Sequence, residues 1–424
     1  MIRLIAVCIA LVCTALLQSC STTVLTAPCD SPKVSNSSVP FVYLVMLPYV
    51  YRSAGAPSDM HQSAVDTLND VAGLQVVRMG AETTDTHVTL LRDSGKGCDI
   101  ENVYKTFTEK RFFERELLST VVFYWGDVFE IEDRVLVQSH IRTLWKNPKE
   151  NLVEVDVTLS RDRSQLRFTG SVPYATVSFP PRNLPVGEQA GGGNELRMSL
   201  GPRGVPASAG DMVPLPKKFI IQQREGNWVE LLDAVSGARA WVAVTDPGTN
   251  AKSLLPELSF AHALSAYANY SRVASDRTAN NAIHWLEEFR TAYGSPQGDE
   301  ALRHSMAIAD VVEAVLRMGR SRGESDRRRA NELMETAVSA LPTSSAVLNL
   351  AAIFKIEQCC ASKDIATEIQ RRLELARRLD AGNEMIARNL LNWYRLLEEE
   401  DISVLPDTRE ETRRRAAQLA AALH

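Results

Sequence analysis

The spacing of apolar residues changes twice along the chain. In residues 40–180, continuous apolar runs such as Val42 to Val50 alternate with runs at helical spacing such as His61 to Leu74, which predicts strands mixed with helices. Residues 194–246 show short strand patterns between turn residues, and residues 255–424 carry apolar residues at helical spacing almost throughout. The pattern therefore predicts a multidomain protein with an α+β domain, a small all-β domain and an all-α domain.

Within the α+β domain, a helix is expected at Asn102 to Arg111. Three later apolar runs predict antiparallel strands: Thr120 to Tyr124, Val128 to Ile131 and Val135 to Leu144. The expected turns between them are Gly126-Asp127 and Glu132-Asp133. This order of elements resembles the amino-terminal domain of the Tol-system periplasmic protein and its lipoprotein relatives. Another small α+β domain is the alternative.

The all-β domain carries two tryptophans at characteristic places. Arg197 is followed by Gly201-Pro202, the apolar run Lys218 to Gln223, Gly226-Asn227-Trp228 and finally Ala240-Trp241-Val242. This order resembles the bacterial SH3-type domain, although Ala240 replaces the usual glycine. The resemblance implies a small SH3-like β-barrel over 194–246 that contacts cell-wall peptide or another protein. Because so small a barrel has little core, we expect both indoles to be buried rather than to stack on a ligand.

The all-α domain contains an internal repeat. Apolar pairs that begin at Ile308, Leu350 and Leu390 recur after 42 and 40 residues, and Ala330 to Pro342 has small and bulky residues in a regular order. These rows resemble the tetratricopeptide repeat. The resemblance implies a helical solenoid over 255–424 that holds a protein partner in its concave groove, whereas the alternative is a generic helical bundle.

Helical geometry divides the repeat positions into two groups. Four of them lie at core spacing and should be structural: Leu350, Phe354, Leu390 and Tyr394. Three are offset from that row and are candidates to face the groove: Asn349, Arg388 and Asn389. Amide and guanidinium groups can bond the backbone or the carboxylates of an extended peptide. These three residues are therefore the predicted partner-binding site.

The amino terminus has the features of an export signal. A basic residue at position 3 precedes the uncharged apolar run Leu4 to Leu17, which is too short to span a bilayer as a helix. The run ends in Leu17-Gln18-Ser19-Cys20, which resembles the bacterial lipobox. The resemblance implies a cleaved signal peptide (1–19), lipid on Cys20, and an envelope lipoprotein that faces the periplasm, with the outer membrane favoured because Ser21 is not Asp. A plain secretory peptide or a short membrane anchor is the alternative.

The remaining breaks in composition complete the domain organisation. The Ser/Thr/Pro-rich segment 20–39 is expected to be a tether, and the Pro/Gly-rich segment 181–193 a linker. Cys29 and Cys98 remain as a possible disulfide in an oxidising compartment. With 45% hydrophobic and 23% charged residues and a net charge of -5, the chain has the composition of a globular protein and gives no reason to expect nucleic acid as a partner.

A search for catalytic motifs finds none. The seven histidines show no metal-binding spacing, and neither a GxSxG sequence nor a phosphate-binding loop is present. The sequence therefore predicts a membrane-anchored binding scaffold without enzymatic activity, cofactor or metal. The alternative is an envelope enzyme, such as a cell-wall hydrolase, whose catalytic part lies in residues 40–180.

Overall fold

The computed structural model describes a sheet-containing amino-terminal region and an all-helical carboxy-terminal region, as the apolar pattern predicts. The described residues are 42–52, 65, 68, 69, 72, 86–91, 100–108, 119–131, 134–146, 151–173, 176–183, 198–199, 218–225, 228–233, 239–243, 255–294, 298–320, 323–356, 362–402, 404 and 409–423.

The amino-terminal region has a mixed sheet built around one buried strand. Its elements are β1 (Val42–Tyr51), β2 (Thr86–Leu91), α1 (Ile100–Thr108), β3 (Thr120–Ile131), β4 (Arg134–Trp145), β5 (Leu152–Thr158), β6 (Gln165–Ser171), β7 (Thr176–Ser178), β8 (Arg182–Asn183), β9 (Met198–Ser199), β10 (Lys218–Glu225), β11 (Trp228–Asp233) and β12 (Arg239–Ala243). The main sheet has the order β7-β4-β3-β1-β2-β10-β11-β12-β9, and β8 also pairs with β4. β1 pairs in parallel with β2 and β3. Its first eight residues are buried, which explains the continuous apolar run.

One predicted turn of this sheet is wrong. β3 continues through Gly126-Asp127 and pairs with β4 along its whole length, so the hairpin turns only once, after Ile131. Gly126 is opposite Tyr49 of β1, and a Cβ at this position would overlap the Tyr49 ring. The glycine therefore makes room for a packed aromatic ring in the middle of a strand, where the sequence alone indicates a turn.

The strands of residues 194–246 extend the main sheet. β10 pairs with β2 of the amino-terminal domain, and β10, β11 and β12 form an antiparallel meander. The strands predicted around Lys218, Trp228 and Trp241 are thus confirmed, and they form no closed barrel within the part of the chain that the structure describes. The SH3-type barrel stays a prediction.

The carboxy-terminal region consists of successive helices. They are α2 (Pro256–Arg272), α3 (Asp276–Tyr293), α4 (Glu300–Arg320), α5 (Glu324–Ala340), α6 (Ser345–Ile356), α7 (Lys363–Leu379), α8 (Glu384–Glu399) and α9 (Arg409–Leu423). Among the helices in the described part of the chain, none is both long and apolar enough to cross a membrane.

A shared apolar core joins the two regions. Buried side chains of β1, β3 and β4 lie in one cluster with those of α2 to α6. Phe179, which follows β7, contacts Phe260 of α2 and Phe289 of α3 at ring-centroid distances of 5.7 Å each. The opposite face of the sheet packs on Val103 of α1. The helices therefore cover one face of the sheet directly.

Candidate functional site

A short hairpin from the amino-terminal region is bound to the helices. β5 and β6 form a two-stranded sheet of their own, separate from the main sheet, and lie in the chain between β4 and β7. Phe168 of β6 is fully buried in an apolar cluster with Ile353 of α6 and Trp393 of α8. The hairpin is therefore an arm that docks on the helical region.

Two asparagines bond the backbone of β6 directly. The Asn389 side chain donates to the carbonyl oxygen of Thr169 at 2.6 Å and accepts from the Thr169 N–H at 2.9 Å. Asn349 donates to the same carbonyl oxygen at 3.0 Å, and Asn389 also donates to the Asn349 side-chain oxygen at 2.8 Å. Both polar groups of the Thr169 backbone are thus satisfied by α6 and α8, where a neighbouring strand would otherwise be needed.

Two further side chains hold the hairpin, one along β6 and one at its turn. Asn392 of α8 donates to the carbonyl oxygen of Arg167 at 2.8 Å. At the hairpin turn, the Glu400 carboxylate accepts from the backbone N–H of Ser160 at 2.7 Å and from its hydroxyl at 2.8 Å. These hydrogen bonds lower the pKa of Glu400 below its ordinary value, so the carboxylate keeps its charge at neutral pH. The hairpin is therefore fixed along β6 and at its tip.

Gly170 lets β6 approach α6 closely. A Cβ at Gly170 would lie 2.5 Å from Cδ2 of Leu350 and 3.0 Å from Cδ1 of Ile353. Leu350 is fully buried, so its side chain has little room to move away. A residue with a side chain would push the strand off the helices, and the glycine is needed for the contact.

No family model matches the sequence, and no curated protein or solved structure is significantly similar to it. What the face formed by α6 and α8 binds is therefore inferred from its own contacts. In this chain, the face contacts an extended backbone in which a buried aromatic residue and a glycine are two positions apart, Phe168 and Gly170.

The candidate partner-binding residues occupy different environments. Asn349 and Asn389 are 0% and 2% exposed, and they contact a strand of this same chain. Arg388 is exposed and pairs with Glu384 at 3.3 Å. The four residues predicted to be structural are buried, as expected: Leu350, Phe354, Leu390 and Tyr394. Binding of an external partner at the three candidates stays a prediction.

Other candidates lie outside the described residues, namely the lipidation site Cys20 and the possible disulfide of Cys29 and Cys98. In the described residues, His, Cys, Asp and Glu side chains form no group of three or more that could hold a metal ion.

The hairpin that occupies the site is not evident from the sequence alone. Its signal is the alternation of Leu166, Phe168 and Gly170 with Arg167 and Thr169, which is typical of a strand with one buried face. That signal indicates a strand but not the surface on which the strand packs.

Proposed function

We propose that the protein is a lipid-anchored scaffold of the bacterial cell envelope that binds a protein partner, cell-wall peptide, or both. One observation carries this proposal: α6 and α8 hold an extended strand through its backbone, with Asn349 and Asn389 bonded to Thr169. Backbone recognition in a groove between helices suits a tetratricopeptide-like repeat that binds polypeptide. In this structure the bound segment, β6, belongs to the same chain.

The occupied groove makes the chain a rigid platform. The docked hairpin, the shared core and the ion pair of Arg182 with Glu257 each join the sheet to the helices. A preorganised surface loses less conformational entropy when it binds than a flexible one. The arrangement therefore favours a scaffold that presents fixed surfaces to its partners.

The face of α6 and α8 that bonds Thr169 is occupied by the chain's own strand, so we place the partner on another surface. Because Asn349 and Asn389 bond Thr169, we place the protein partner on the exposed side of α8 around Arg388. Cell-wall peptide is assigned to the SH3-type strands β10 to β12. The membrane anchor is the lipid on Cys20.

Photo-crosslinking in cells tests the partner surface. With benzoylphenylalanine at position 388 of the full chain, we expect a crosslinked adduct to another envelope protein, detected as a shifted band and identified by mass spectrometry. The matched control carries the same group at Arg328, an exposed arginine of α5, and should give no such adduct. Adducts of equal yield at both positions, or at position 328 alone, would contradict the proposal.

The anchor is tested by labelling with a fatty-acid probe. We expect Cys20→Ala to abolish the label and either to release the protein from the membrane fraction or to leave its precursor uncleaved. Cys29→Ala, which removes a nearby cysteine that is not part of the lipobox, should keep both label and location. Undiminished labelling of the Cys20→Ala protein would refute lipidation at this residue.

A further inference from the structure

Three polar side chains converge on the face of the main sheet opposite α2. Ser178 of β7 is directly opposite His140 of the neighbouring strand β4. His140 is in turn opposite Trp125 of β3, and Asp127 is two residues further along β3, on the same face. The sheet register therefore places a serine, a histidine and an aspartate side by side on three adjacent strands.

Their distances connect the three groups in a row. Nδ1 of His140 lies 2.9 Å from the hydroxyl oxygen of Ser178, and Nε2 lies 3.5 Å from Oδ2 of Asp127. When Nε2 carries the ring proton, it faces the Asp127 carboxylate, and Nδ1 accepts the Ser178 hydroxyl proton. The longer separation is common in the absence of substrate, because hydrogen bonds of this kind tighten when substrate binds.

Two neighbours hold the row in place. The Trp125 ring stacks on the His140 imidazole with centroids 5.3 Å apart and an interplanar angle of 23°. Nε of Arg52 donates to Oδ1 of Asp127 at 2.8 Å. Partial burial would raise the pKa of Asp127, but its hydrogen bonds to His140 and Arg52 lower it below the ordinary value. The carboxylate therefore stays charged beside the imidazole.

We propose that Ser178 and His140 are the catalytic residues of a hydrolytic site for short-chain acyl esters, with Asp127 as the residue that orients His140. A nucleophile bonded to a base that is itself oriented by a carboxylate is the arrangement that activates a serine hydroxyl. This activity is separate from the proposed scaffold function, since the row lies on the sheet face that packs on α1, opposite the face covered by α2 to α6.

The reaction balances with water as the second substrate. Oγ of Ser178 bonds to the carbonyl carbon while its proton passes to Nδ1 of His140. The bond to the leaving oxygen then breaks, and the departing alcohol takes the proton from Nδ1. A water molecule next attacks the acyl-serine, again giving its proton to His140, and the carboxylic acid leaves as the Ser178 hydroxyl is restored.

The surroundings of Ser178 indicate the substrate class. Ser178 is exposed, and Thr176 and Gln138 are polar residues of the same sheet face. Such a surface suits a small acyl group better than a long apolar chain. Because Ser178 is exposed to water, charge that develops beside it in the transition state is stabilised weakly, and activated esters are the appropriate assay substrates.

The test uses the purified full chain in detergent, a fluorophosphonate probe and p-nitrophenyl acetate. The probe should add its mass to the peptide that contains Ser178. We expect Ser178→Ala and His140→Gln each to lower the labelling rate and the rate of ester hydrolysis at least tenfold. Thr176→Ala is the matched control, on the same strand and face, and should change both rates less than twofold.

Either of two results would overturn the proposal. The first is that the peptide containing Ser178 gains no mass from the probe. The second is that the rate of ester hydrolysis is equal in the parent, Ser178→Ala and His140→Gln proteins. Circular dichroism melting of each variant shows that it is folded; since Ser178 is exposed, Ser178→Ala should melt like the parent. We expect these variants to leave crosslinking from position 388 unchanged, so failure of the hydrolytic site and failure of the scaffold are distinguishable.

Discussion

Replacing Phe168 with alanine should lower the free energy of unfolding of the helical region by about 3–5 kcal/mol, the usual cost of removing a buried phenylalanine ring. Phe168 is fully buried between the hairpin and the helices, in a cluster with Ile353 and Trp393. Its loss leaves a cavity that the asparagine-bonded backbone of Thr169 keeps open. Urea unfolding of the full chain, followed by its helical circular dichroism, measures the change.

Arg167→Ala is the matched control for this prediction. Arg167 is the preceding residue of β6, and 59% of its side chain is exposed, where it pairs with Asp156 and Glu154. Exposed ion pairs contribute about 0–1 kcal/mol, so this variant should unfold nearly like the parent. Equal, small effects of both variants would show that the hairpin is not docked on the helices in solution.

The helices could be predicted from the sequence because their signal is local. Leu350 and Phe354 are four positions apart on one helix face, and burial of that face is what stabilises the helix. Helical spacing also places Asn349 and Asn389 on a face that differs from the core row. The contacts of this face do not follow from local spacing, because Thr169 and Asn389 are 220 residues apart in the chain.

The sheet shows the limits of local patterns more clearly. A glycine next to an aspartate indicates a turn, yet Gly126 lies within β3 because the Tyr49 ring needs its space. The pairing of β10 with β2 likewise depends on strand edges that are distant in sequence. Local pattern thus predicts which segments are strands, whereas their partners are set by packing.

No sequence motif reveals the polar row on the sheet, because its members lie on strands that are separated in the chain. Asp127, His140 and Ser178 lie on three strands, and no fixed spacing links them. The row lies within residues 40–180, the range in which the alternative reading of the sequence, an envelope enzyme, places the catalytic part. Only the strand register brings its members together.

A buried ion pair connects the sheet to the first long helix. Nε and Nη2 of Arg182 donate to the two carboxylate oxygens of Glu257 at 2.8 Å and 3.3 Å. Only 18% of the Arg182 side chain and 1% of the Glu257 side chain are exposed. The Tyr293 hydroxyl also donates to Glu257. Burial alone would lower the pKa of Arg182, but the Glu257 carboxylate raises it above its ordinary value, so the guanidinium is charged.

Breaking this pair should destabilise the junction of the two regions. Glu257→Leu removes the carboxylate that neutralises the buried guanidinium, and we expect a loss of about 3–5 kcal/mol, because the remaining charge is still poorly solvated. Arg182→Met should cause a loss of the same order. In the double variant Arg182→Met, Glu257→Leu, no charge is left to desolvate, so most of the stability should return. Thermal unfolding of the parent, the two single variants and the double variant gives the coupling free energy between Arg182 and Glu257. If the two single losses simply add in the double variant, the two residues stabilise the junction independently and the pair does not join the sheet to the helices.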